Sequence, residues 1–381
     1  MKVAIVHELL TMKGGAERVV RIIADLFPDA PIYTLLYDEK KLGDWFPKER
    51  IRTSIVQPTT HYPLLTTHLR NHHFHLTRFP KACEAWDFSG FDLVISSSSA
   101  FVHGIITNGK PKHLCYVHSP ARYLWDRTHD VQERAGKGFL GPIMHLYLSH
   151  IFHKLRIWDS EAAARPNVLL AASKEVQRRI ELYWHRDSTV LTPPIDDEWL
   201  KATPSDRQAA PKKDYFLIVS TLVPYKQIDY VVEACTQANV PLVIAGDGPD
   251  KKRLQSLAGP MVTFLGHQST TQLKSLYASA RATIFPGNED FGLVPLESMA
   301  CGTPVIAWKG GGALETITEG VTGTFFEEQN APSLLNKIVS FDHNKYSREK
   351  CIETAANHSK TKFVQGLCSH IDSLMDLGRT K

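Results

Sequence analysis

The sequence lacks paired cysteines, long apolar runs and a strong excess of either charge. Its six cysteines form no Cys-x-x-Cys pair and no zinc-like spacing, so we expect reduced, mostly buried thiols rather than a disulfide framework. No apolar stretch approaches the length of a membrane span. A formal charge of +4 over 381 residues argues against a nucleic-acid-binding face. The N-terminal apolar run soon meets Glu8 and Lys13, which disfavours a secretion signal, so we expect a cytoplasmic protein.

What is present is an alternation of strand-like and helix-like segments. With 43% hydrophobic and 22% charged residues, the chain is typical of a soluble globular protein and is long enough for two domains. The alternation predicts an α/β fold with parallel sheets. The predicted strands are residues 2–7, 31–36, 92–96, 113–117 and 167–171 in the first half, and 215–220, 241–245, 262–265, 282–285 and 304–307 in the second.

A linker separates the two halves of this pattern. Residues 199–213 contain prolines, several charges and few apolar side chains, as linkers do. We therefore predict one domain over residues 1–198, a second over residues 214–358, and a C-terminal helix within residues 359–381. Ligands of open parallel sheets bind beyond the carboxyl ends of the strands, so the site is expected in the loops that follow them.

The most informative loop follows the predicted strand 282–285. It places Glu289 and Glu297 eight residues apart, with Phe-Gly between them and Pro295 in the first turn of a short helix that stops at Gly302. Free amides at residues 291–294 attract phosphate or sugar oxygens, and carboxylates accept hydrogen bonds from vicinal hydroxyls. The alternative is that both glutamates are solvated surface charges. The combination favours a sugar-nucleotide site.

This arrangement of glutamates around Phe-Gly resembles the retaining glycosyltransferases of the GT-B fold, the glycosyl transferases group 1. The resemblance implies two Rossmann-like domains facing across a cleft, the first on the acceptor side and the second binding a nucleotide sugar. It also implies that the terminal helix crosses back to the first domain. In that family the first glutamate contacts the donor sugar and the second the ribose, which gives those roles to Glu289 and Glu297. Phe291, Gly292 and Leu293 would also contact the donor.

A glycine pair follows the first predicted strand and opens a helix. Gly14 and Gly15 let the backbone approach an anion closely, although they do not form the Gly-x-Gly-x-x-Gly dinucleotide fingerprint. A tight turn without a ligand is the alternative. The resembling family carries the same Gly-Gly-Ala-Glu loop facing the donor diphosphate, which implies that both glycines contact the donor.

The loop after the predicted strand 215–220 carries a lysine. Lys226 can neutralise a diphosphate, although most lysines are simply exposed. The family usually adds an arginine where this sequence has Thr221. One of two phosphate-binding charges is therefore absent, so another basic residue substitutes or donor binding is weaker.

His118 ends a strand of the first half, beside Ser-Pro. An isolated histidine is more often structural than catalytic, but the family has a histidine here that approaches the 6-hydroxyl of the transferred sugar. The residues around it, Arg122 to Asp126, follow the pattern of bacterial mannosyltransferases. The resemblance therefore favours GDP-mannose as the donor.

Other segments match the family more weakly. Gly246 and Gly248 lie in a turn that resembles a donor-binding loop, and His267 lies in a loop placed near the nucleotide base. The glycine-rich segment 308–312 with Glu315 resembles the family segment that follows the two glutamates.

A histidine-rich stretch invites a metal hypothesis. We consider it weak, because no acidic or cysteine ligands stand nearby, and an acceptor surface or a membrane-facing surface suits the stretch better. The apolar segment 139–158 is expected to be a core helix, with peripheral contact to the inner face of the membrane as the alternative. The histidines are His61, His68, His72, His73 and His75.

The resemblance implies transfer of a sugar, with retention, to a hydroxyl of a glycan or a polyprenyl-diphosphate-linked acceptor in polysaccharide or glycolipid synthesis. Lys226, the amides of Gly14 and Gly15, and the helix start near Gly292 would stabilise the departing diphosphate. The family assigns no protein nucleophile, so Glu289 is expected to orient the sugar. No cofactor is implied, and the lack of an Asp-x-Asp motif in a suitable loop favours a metal-independent reaction.

Several alternatives stay open at this point. The donor could be a UDP sugar. The same architecture also occurs in epimerases and phosphorylases, of which the latter need a lysine that holds pyridoxal phosphate. The replacement at Thr221 motivates a non-catalytic subunit that binds a sugar nucleotide. A dehydrogenase is disfavoured by the glycine spacing, although Asp38 lies where a ribose-binding acid could sit.

Overall fold

The computed structural model describes residues 1–57, 76–135, 141–201 and 214–376. The chain divides into two compact units. One comprises residues 1–191 together with the segment that begins at Val364, and the other comprises residues 192–363. Most of the predicted linker, residues 202–213, lies outside the described residues, as does the whole histidine-rich stretch from His61 to His75.

Among its described residues, the first unit contains a seven-stranded parallel sheet in the order β3-β2-β1-β4-β5-β6-β7. Its strands are β1 (Val3–Leu10), β2 (Ile32–Tyr37), β3 (Ile51–Thr53), β4 (Leu93–Ser98), β5 (Lys112–Val117), β6 (Val168–Ala171) and β7 (Thr189–Val190). Its helices are α1 (Gly15–Leu26), α2 (Glu39–Leu42), α3 (Phe79–Glu84), α4 (Thr128–Ala135), α5 (Gly141–Ala162) and α6 (Lys174–Trp184). Short 3₁₀ turns occur at Lys48–Arg50 and Val102–Gly104.

The second unit contains a six-stranded parallel sheet among its described residues, in the order β10-β9-β8-β11-β12-β13. Its strands are β8 (Phe216–Val219), β9 (Leu242–Ala245), β10 (Val262–Gly266), β11 (Ala282–Phe285), β12 (Val305–Trp308) and β13 (Gly323–Phe326). Its helices are α7 (Asp197–Leu200), α8 (Asp229–Gln237), α9 (Lys251–Leu257), α10 (Thr270–Ser279), α11 (Leu293–Ala300), α12 (Ala313–Thr316), α13 (Ala331–Ser340) and α14 (Arg348–Ala356), with 3₁₀ turns at Pro224–Lys226 and His343–Lys345. The last described helix, α15 (Lys360–Asp376), continues from this unit into the C-terminal part of the first.

The predicted fold class is confirmed, because both sheets are parallel and have the strand order of Rossmann-like α/β domains. All ten predicted strands are present within a few residues of their expected bounds. Central strands are buried by helices on both faces and therefore appear in sequence as continuous apolar runs. The strands that we did not predict are β3, β7 and β13, which are short and lie at or next to sheet edges.

Each sheet has a point where the strand order reverses. In the first sheet it lies between β1 and β4, and in the second between β8 and β11. Crevices beyond the carboxyl ends of such strand pairs are the usual ligand sites of open α/β sheets. The topology therefore singles out the loops after these four strands.

The remaining expectations concern cysteines and membrane spans. All six cysteines are free thiols, and all except Cys368 are buried, as predicted. Within the described part of the chain, no helix combines the length and apolar character needed to cross a membrane.

Candidate functional site

In the second unit, Lys226 and Glu289 flank the reversal point of the sheet. Lys226 ends the 3₁₀ turn after β8, and Glu289 lies in the loop after β11. The Lys226 ammonium Nζ lies 2.5 Å from Glu289 Oε1, and both side chains are about one-fifth exposed. The structure thus brings together two residues that the sequence singled out separately. The pair places a cation and a carboxylate where a charged, hydroxyl-rich ligand can meet both.

The loop that carries Lys226 is held against the loop after β9. A Cβ added to Gly246 would lie 1.8 Å from the Ser220 carbonyl oxygen, and one added to Gly248 would lie 2.3 Å from that of Leu222. The Leu222 amide also donates to the Asp247 carbonyl oxygen at 2.9 Å. These contacts give both glycines a packing role, because no side chain fits where the two loops touch. The predicted donor contacts of Gly246 and Gly248 are additional to this role.

Thr221 is exposed in the same pair of loops. The loop after β9, which packs against this loop, is followed by Lys251, which forms an ion pair of 3.2 Å with Asp247. Lys251 Nζ also lies 3.8 Å from the position that a Cβ on Gly266 would take, beside the exposed His267.

The loop that carries Glu289 rests on the glycine segment after β12. The Gly312 amide donates to the Glu289 carbonyl oxygen at 2.8 Å. A Cβ on Gly312 would lie 2.2 Å from Phe291 Cα, and one on Gly311 would lie 2.5 Å from the Glu289 carbonyl oxygen. The glycine-rich segment was indicated only weakly by the sequence. The structure shows that this segment packs against the backbone of the Glu289 loop and supports it.

Helix α11 begins directly after this loop, as the sequence predicts. Gly292 caps it with a φ of 84°, a conformation that favours glycine, and Phe291 is buried. Pro295 lies in the first turn, and Gly302 follows the helix end with a φ of 74°. In the described part of the chain, no acceptor takes the amides of Leu293 and Val294. The positive end of the helix dipole therefore remains available to an anion.

Glu297 is not the solvated surface charge that the alternative interpretation would require. It is 8% exposed within α11, and its Oε2 accepts a hydrogen bond of 3.3 Å from the Tyr277 hydroxyl. Burial, followed by the charge of Glu297, raises the pKa of Tyr277 well above its usual value, so the tyrosine is a permanent donor to this carboxylate. A ribose contact by Glu297 would add to this bond.

In the first unit, His118 follows β5 and is partly buried. Its Nε2 lies 2.7 Å from Ser97 Oγ. Ser97 in turn lies beside His7, whose Nδ1 is 3.0 Å from the Ser97 carbonyl oxygen and 3.2 Å from Ser97 Oγ. His7 and Ser97 are direct neighbours across the pairing of β1 with β4, at the reversal point of this sheet. Burial and the neighbouring charge of His7 lower the pKa of His118 to about 3, so His118 is neutral near pH 7.

The sequence analysis missed His7 and Ser97. His7 was taken as part of the first buried strand, and the serine run 96–99 was given no role. The available signal was a polar residue near the carboxyl end of each of two apolar strands, but only the strand register shows that the two side chains meet.

In the glycine loop of the first unit, the Gly14 amide is hydrogen-bonded to the side chain of the nearby Glu17. Glu17, 7% exposed, accepts a hydrogen bond from the Gly14 amide at 3.0 Å through Oε2, while its Oε1 lies 3.9 Å from His7 Nε2. Gly14 caps α1, and Gly15 is its first residue. The expectation that the amides of Gly14 and Gly15 face a donor diphosphate therefore needs a correction for Gly14, whose amide already has an anionic partner in the free protein.

The residues after His118 form an ion-pair cluster. The buried Arg179 lies 3.3 Å from Asp126 Oδ2 and 3.1 Å from Glu175 Oε1, and it donates to Ser119 Oγ at 3.2 Å. Arg122 Nε lies 3.6 Å from Asp126 as well. These contacts connect the segment that resembles mannosyltransferases to α6. They thereby fix the position of the loop next to His118.

Two further sequence hypotheses can be placed. Asp38 caps α2 by accepting the Lys41 amide at 3.3 Å, which gives it a structural role. No cluster of three or more His, Cys, Asp or Glu side chains suited to a metal ion occurs among the described residues.

The second unit carries a known family signature. Residues 201–358 match the family model described as Glycosyl transferases group 1. Together with the curated relatives, this match supports the family that the motifs indicate. One such relative, the D-inositol 3-phosphate glycosyltransferase of Mycolicibacterium paratuberculosis, is 34% identical over 191 residues, covering 44% of this chain and 43% of that protein. The chain spans no more than about half the length of the curated relatives that it matches first.

Solved structures extend the likeness of fold to almost the whole chain. The crystal structure of Anabaena HepE in complex with UDP gives a TM-score of 0.70 at 18% identity, covering 98% of this chain and 100% of that chain. The same protein is known in complex with UDP-glucose. Sucrose-phosphate synthase from Thermosynechococcus elongatus gives a TM-score of 0.70 at 17% identity, with coverage of 98% and 100%. At this level of identity the likeness establishes the fold alone.

Proposed function

We propose that this protein is a metal-independent glycosyltransferase that moves a sugar from a nucleoside diphosphate donor to a hydroxyl group. The observation that supports this proposal best is the Lys226–Glu289 pair, located at the sheet reversal point within the segment that matches the family model. Lys226 meets the diphosphate, and Glu289 accepts hydrogen bonds from the donor sugar. The Leu293 and Val294 amides at the start of α11 add the helix dipole to the charge that stabilises the leaving group.

The free protein must rearrange locally to bind such a donor. Lys226 and Glu289 are paired at 2.5 Å. On donor binding, the diphosphate becomes the partner of the lysine, and the sugar hydroxyls become the partners of the carboxylate. Each charge thus exchanges one partner for another and is not left unpaired, which limits the desolvation cost of binding.

The first candidate donor is GDP-mannose, supported by the likeness of residues 115–126 to bacterial mannosyltransferases. UDP sugars are the second candidate, supported by the complexes of HepE with UDP and UDP-glucose. A thermal-shift panel of nucleotide sugars distinguishes them. We expect the midpoint to rise with GDP-mannose. A higher midpoint with UDP-glucose alone would indicate a UDP sugar as the donor. An unchanged midpoint with every nucleotide sugar would contradict the proposal.

We further propose that the reaction retains the anomeric configuration. Glu289 is engaged with an ammonium group, which suits a carboxylate that orients the sugar better than one that attacks it as a nucleophile. His118 then contacts the transferred sugar as a neutral hydrogen-bonding group. Proton NMR of the product formed from GDP-mannose should give the α-anomer, and a β-product would exclude retention. Activity should also survive treatment with EDTA.

The acceptor is proposed to be a glycan or a lipid-linked hydroxyl reached at a membrane surface. The first turns of helix α5 carry four apolar side chains, each at least 44% exposed. Lys154 and Arg156 follow on the same helix. Apolar and basic residues together favour peripheral binding to anionic lipid. Binding to anionic vesicles should be lost in Leu146→Glu and kept in Val339→Glu, a matched change at an equally exposed apolar residue of the second unit. Equal binding by both variants would contradict this. The exposed apolar residues of α5 are Ile143, Met144, Leu146 and Tyr147.

A further inference from the structure

Glu17, His7 and Ser97 form a row of successive side-chain contacts, the positioning line, that leads to His118. Glu17 Oε1 is 3.9 Å from His7 Nε2, His7 Nδ1 is 3.2 Å from Ser97 Oγ, and Ser97 Oγ is 2.7 Å from His118 Nε2. Glu17, His7 and Ser97 are all buried, so solvent does not compete for these contacts. The line connects the glycine loop to His118, because the other oxygen of Glu17 accepts the Gly14 amide.

The chemistry of His7 fixes where its protons lie. A carbonyl oxygen can only accept, so the 3.0 Å contact of His7 Nδ1 with the Ser97 carbonyl oxygen requires a proton on Nδ1. Nε2 faces the Glu17 carboxylate, which favours a second proton there. Burial alone lowers the pKa of His7, but the nearby carboxylates of Glu17 and Glu8 outweigh it and raise that pKa above its usual value. His7 therefore donates through its Nδ1–H toward Ser97.

This arrangement determines what Ser97 offers to His118. The Nδ1–H of His7 is shared between the Ser97 carbonyl oxygen at 3.0 Å and Ser97 Oγ at 3.2 Å, so the hydroxyl oxygen faces a donor and acts as an acceptor. Its own hydrogen then goes to His118 Nε2, its other close partner at 2.7 Å. An Nε2 that accepts carries no proton, so the single proton of neutral His118 lies on Nδ1. No other described residue forms a hydrogen bond with that Nδ1.

We propose that Glu17, His7 and Ser97 are positioning residues that hold His118 as the neutral Nδ1–H tautomer and thereby present an N–H donor to an oxygen of the substrate. Second partners of functional histidines commonly fix the tautomer and ring orientation in this way. The identity of that substrate rests on the proposed function, whereas the tautomer is a property of the free protein.

Nitrogen NMR of the full chain, labelled with ¹⁵N-histidine, tests the tautomer directly. The His118 signals are assigned by their absence in His118→Asn. We expect Nε2 with the chemical shift of an unprotonated nitrogen and Nδ1 with that of a protonated one, unchanged between pH 8 and pH 6. A proton on Nε2, or a doubly protonated ring, would overturn the proposal without the need for any other variant.

A matched pair of serine variants tests the function of the line. Ser96 is the neighbour of Ser97 on β4, and its Oγ makes the same 2.7 Å contact with the Nε2 of a different buried histidine, His113. With GDP-mannose and with UDP-glucose as donors, Ser97→Ala should lose the tautomer preference and lower kcat about tenfold to a hundredfold with little change in KM. Ser97→Thr keeps the hydroxyl and should recover both. Ser96→Ala should leave the His118 spectrum and kcat unchanged, and equal effects of the two alanine variants would refute the positioning role.

The two readouts separate the failure of this proposal from that of the proposed function. If His118 has the expected tautomer but neither donor is bound or consumed, the glycosyltransferase assignment fails and the positioning line stands. If a sugar is transferred while Nε2 carries the proton, the assignment stands and the line fails.

Discussion

Lys226 and Glu289 carry most of the proposed donor binding at the scale of single residues. The sequence identified each of them by its place after a strand, and the structure adds that they are ion-paired with one another. The ion pair already restricts the conformations of the Lys226 side chain. Donor binding therefore costs less side-chain entropy than it would with a freely moving lysine.

Removal of the lysine charge should weaken nucleotide binding specifically. Lys226→Ala should lower the affinity for the nucleoside diphosphate roughly tenfold to a hundredfold, in line with about 1.5–3 kcal/mol for a hydrogen bond to a charged group. Isothermal calorimetry measures this change. Lys350→Ala is the control, since Lys350 forms a comparable lysine–glutamate pair with Glu353 on the surface of α14. An equal loss in the control, or no loss in Lys226→Ala, would contradict the role.

The residues that sequence analysis missed have a common physical cause. His7 and Ser97 lie inside strands, where the pattern of neighbouring side chains indicates only burial. Their meeting depends on the pairing of β1 with β4, a contact between residues 90 positions apart. His118 was identifiable because it directly follows β5, and Lys226 because it lies in the loop after β8. Both positions are local in sequence.

At the scale of elements, the loop before α11 depends on the glycine segment beneath it. Gly312 lies against the backbone of Phe291, where a Cβ would approach to 2.2 Å. Backbone atoms cannot move aside as a flexible side chain can, so the Glu289 loop must shift to admit a methyl group.

Gly312→Ala should therefore destabilise the second unit by about 1–3 kcal/mol and also weaken donor binding. Urea denaturation and calorimetry measure the two effects. Gly90→Ala serves as the control, because an added Cβ there has no neighbour within 4 Å. The account of the loop would be wrong if Gly312→Ala bound donor as tightly as the wild type.

Helix α11 illustrates what sequence can and cannot predict about an element. Its start, its proline and its glycine stop follow local rules and were predicted. The burial of Glu297 beside Tyr277 was not, because the consecutive residues from Pro295 to Ala300 are all buried. A helix buried on every side has no amphipathic stripe that would indicate which way a given residue points.

At the scale of the whole molecule, both units use the same strand order around a reversal point, and the candidate residues of each unit lie there. The alternation of apolar runs predicts the parallel sheets and the loops after their strands, whereas the strand order comes from the structure. The strands β3, β7 and β13 lie at sheet edges and lack the continuous apolar run of a central strand, so they escaped prediction, and their pairing is decided by the neighbouring strand.

Acid should destabilise the first unit through its buried histidines. Burial lowers the pKa of His113 to about 3, so the unfolded chain binds a proton that the folded chain does not as the pH falls below about 6.5. The stability that neutral His113 contributes is complete above that pH and is lost toward pH 3, at up to about 1.4 kcal/mol per pH unit.

Denaturation followed by tryptophan fluorescence at pH 7 and pH 5 measures this dependence, since five of the seven tryptophans lie in the first unit. His113→Gln should flatten the fall in stability between these pH values. His267→Gln, at an exposed histidine of the second unit, should leave it unchanged. A wild-type protein as stable at pH 5 as at pH 7 would count against a neutral buried His113.

The central claim is that Glu289 and Lys226 bind and activate a nucleotide sugar. The most direct test is the release of nucleoside diphosphate from GDP-mannose and UDP-glucose by the wild type and by Glu289→Gln, which keeps the size of the side chain but removes its charge. We predict release from one donor by the wild type and a loss of at least about a hundredfold in kcat in the variant. Release at equal rates by both proteins, or from neither donor by the wild type, would contradict the account.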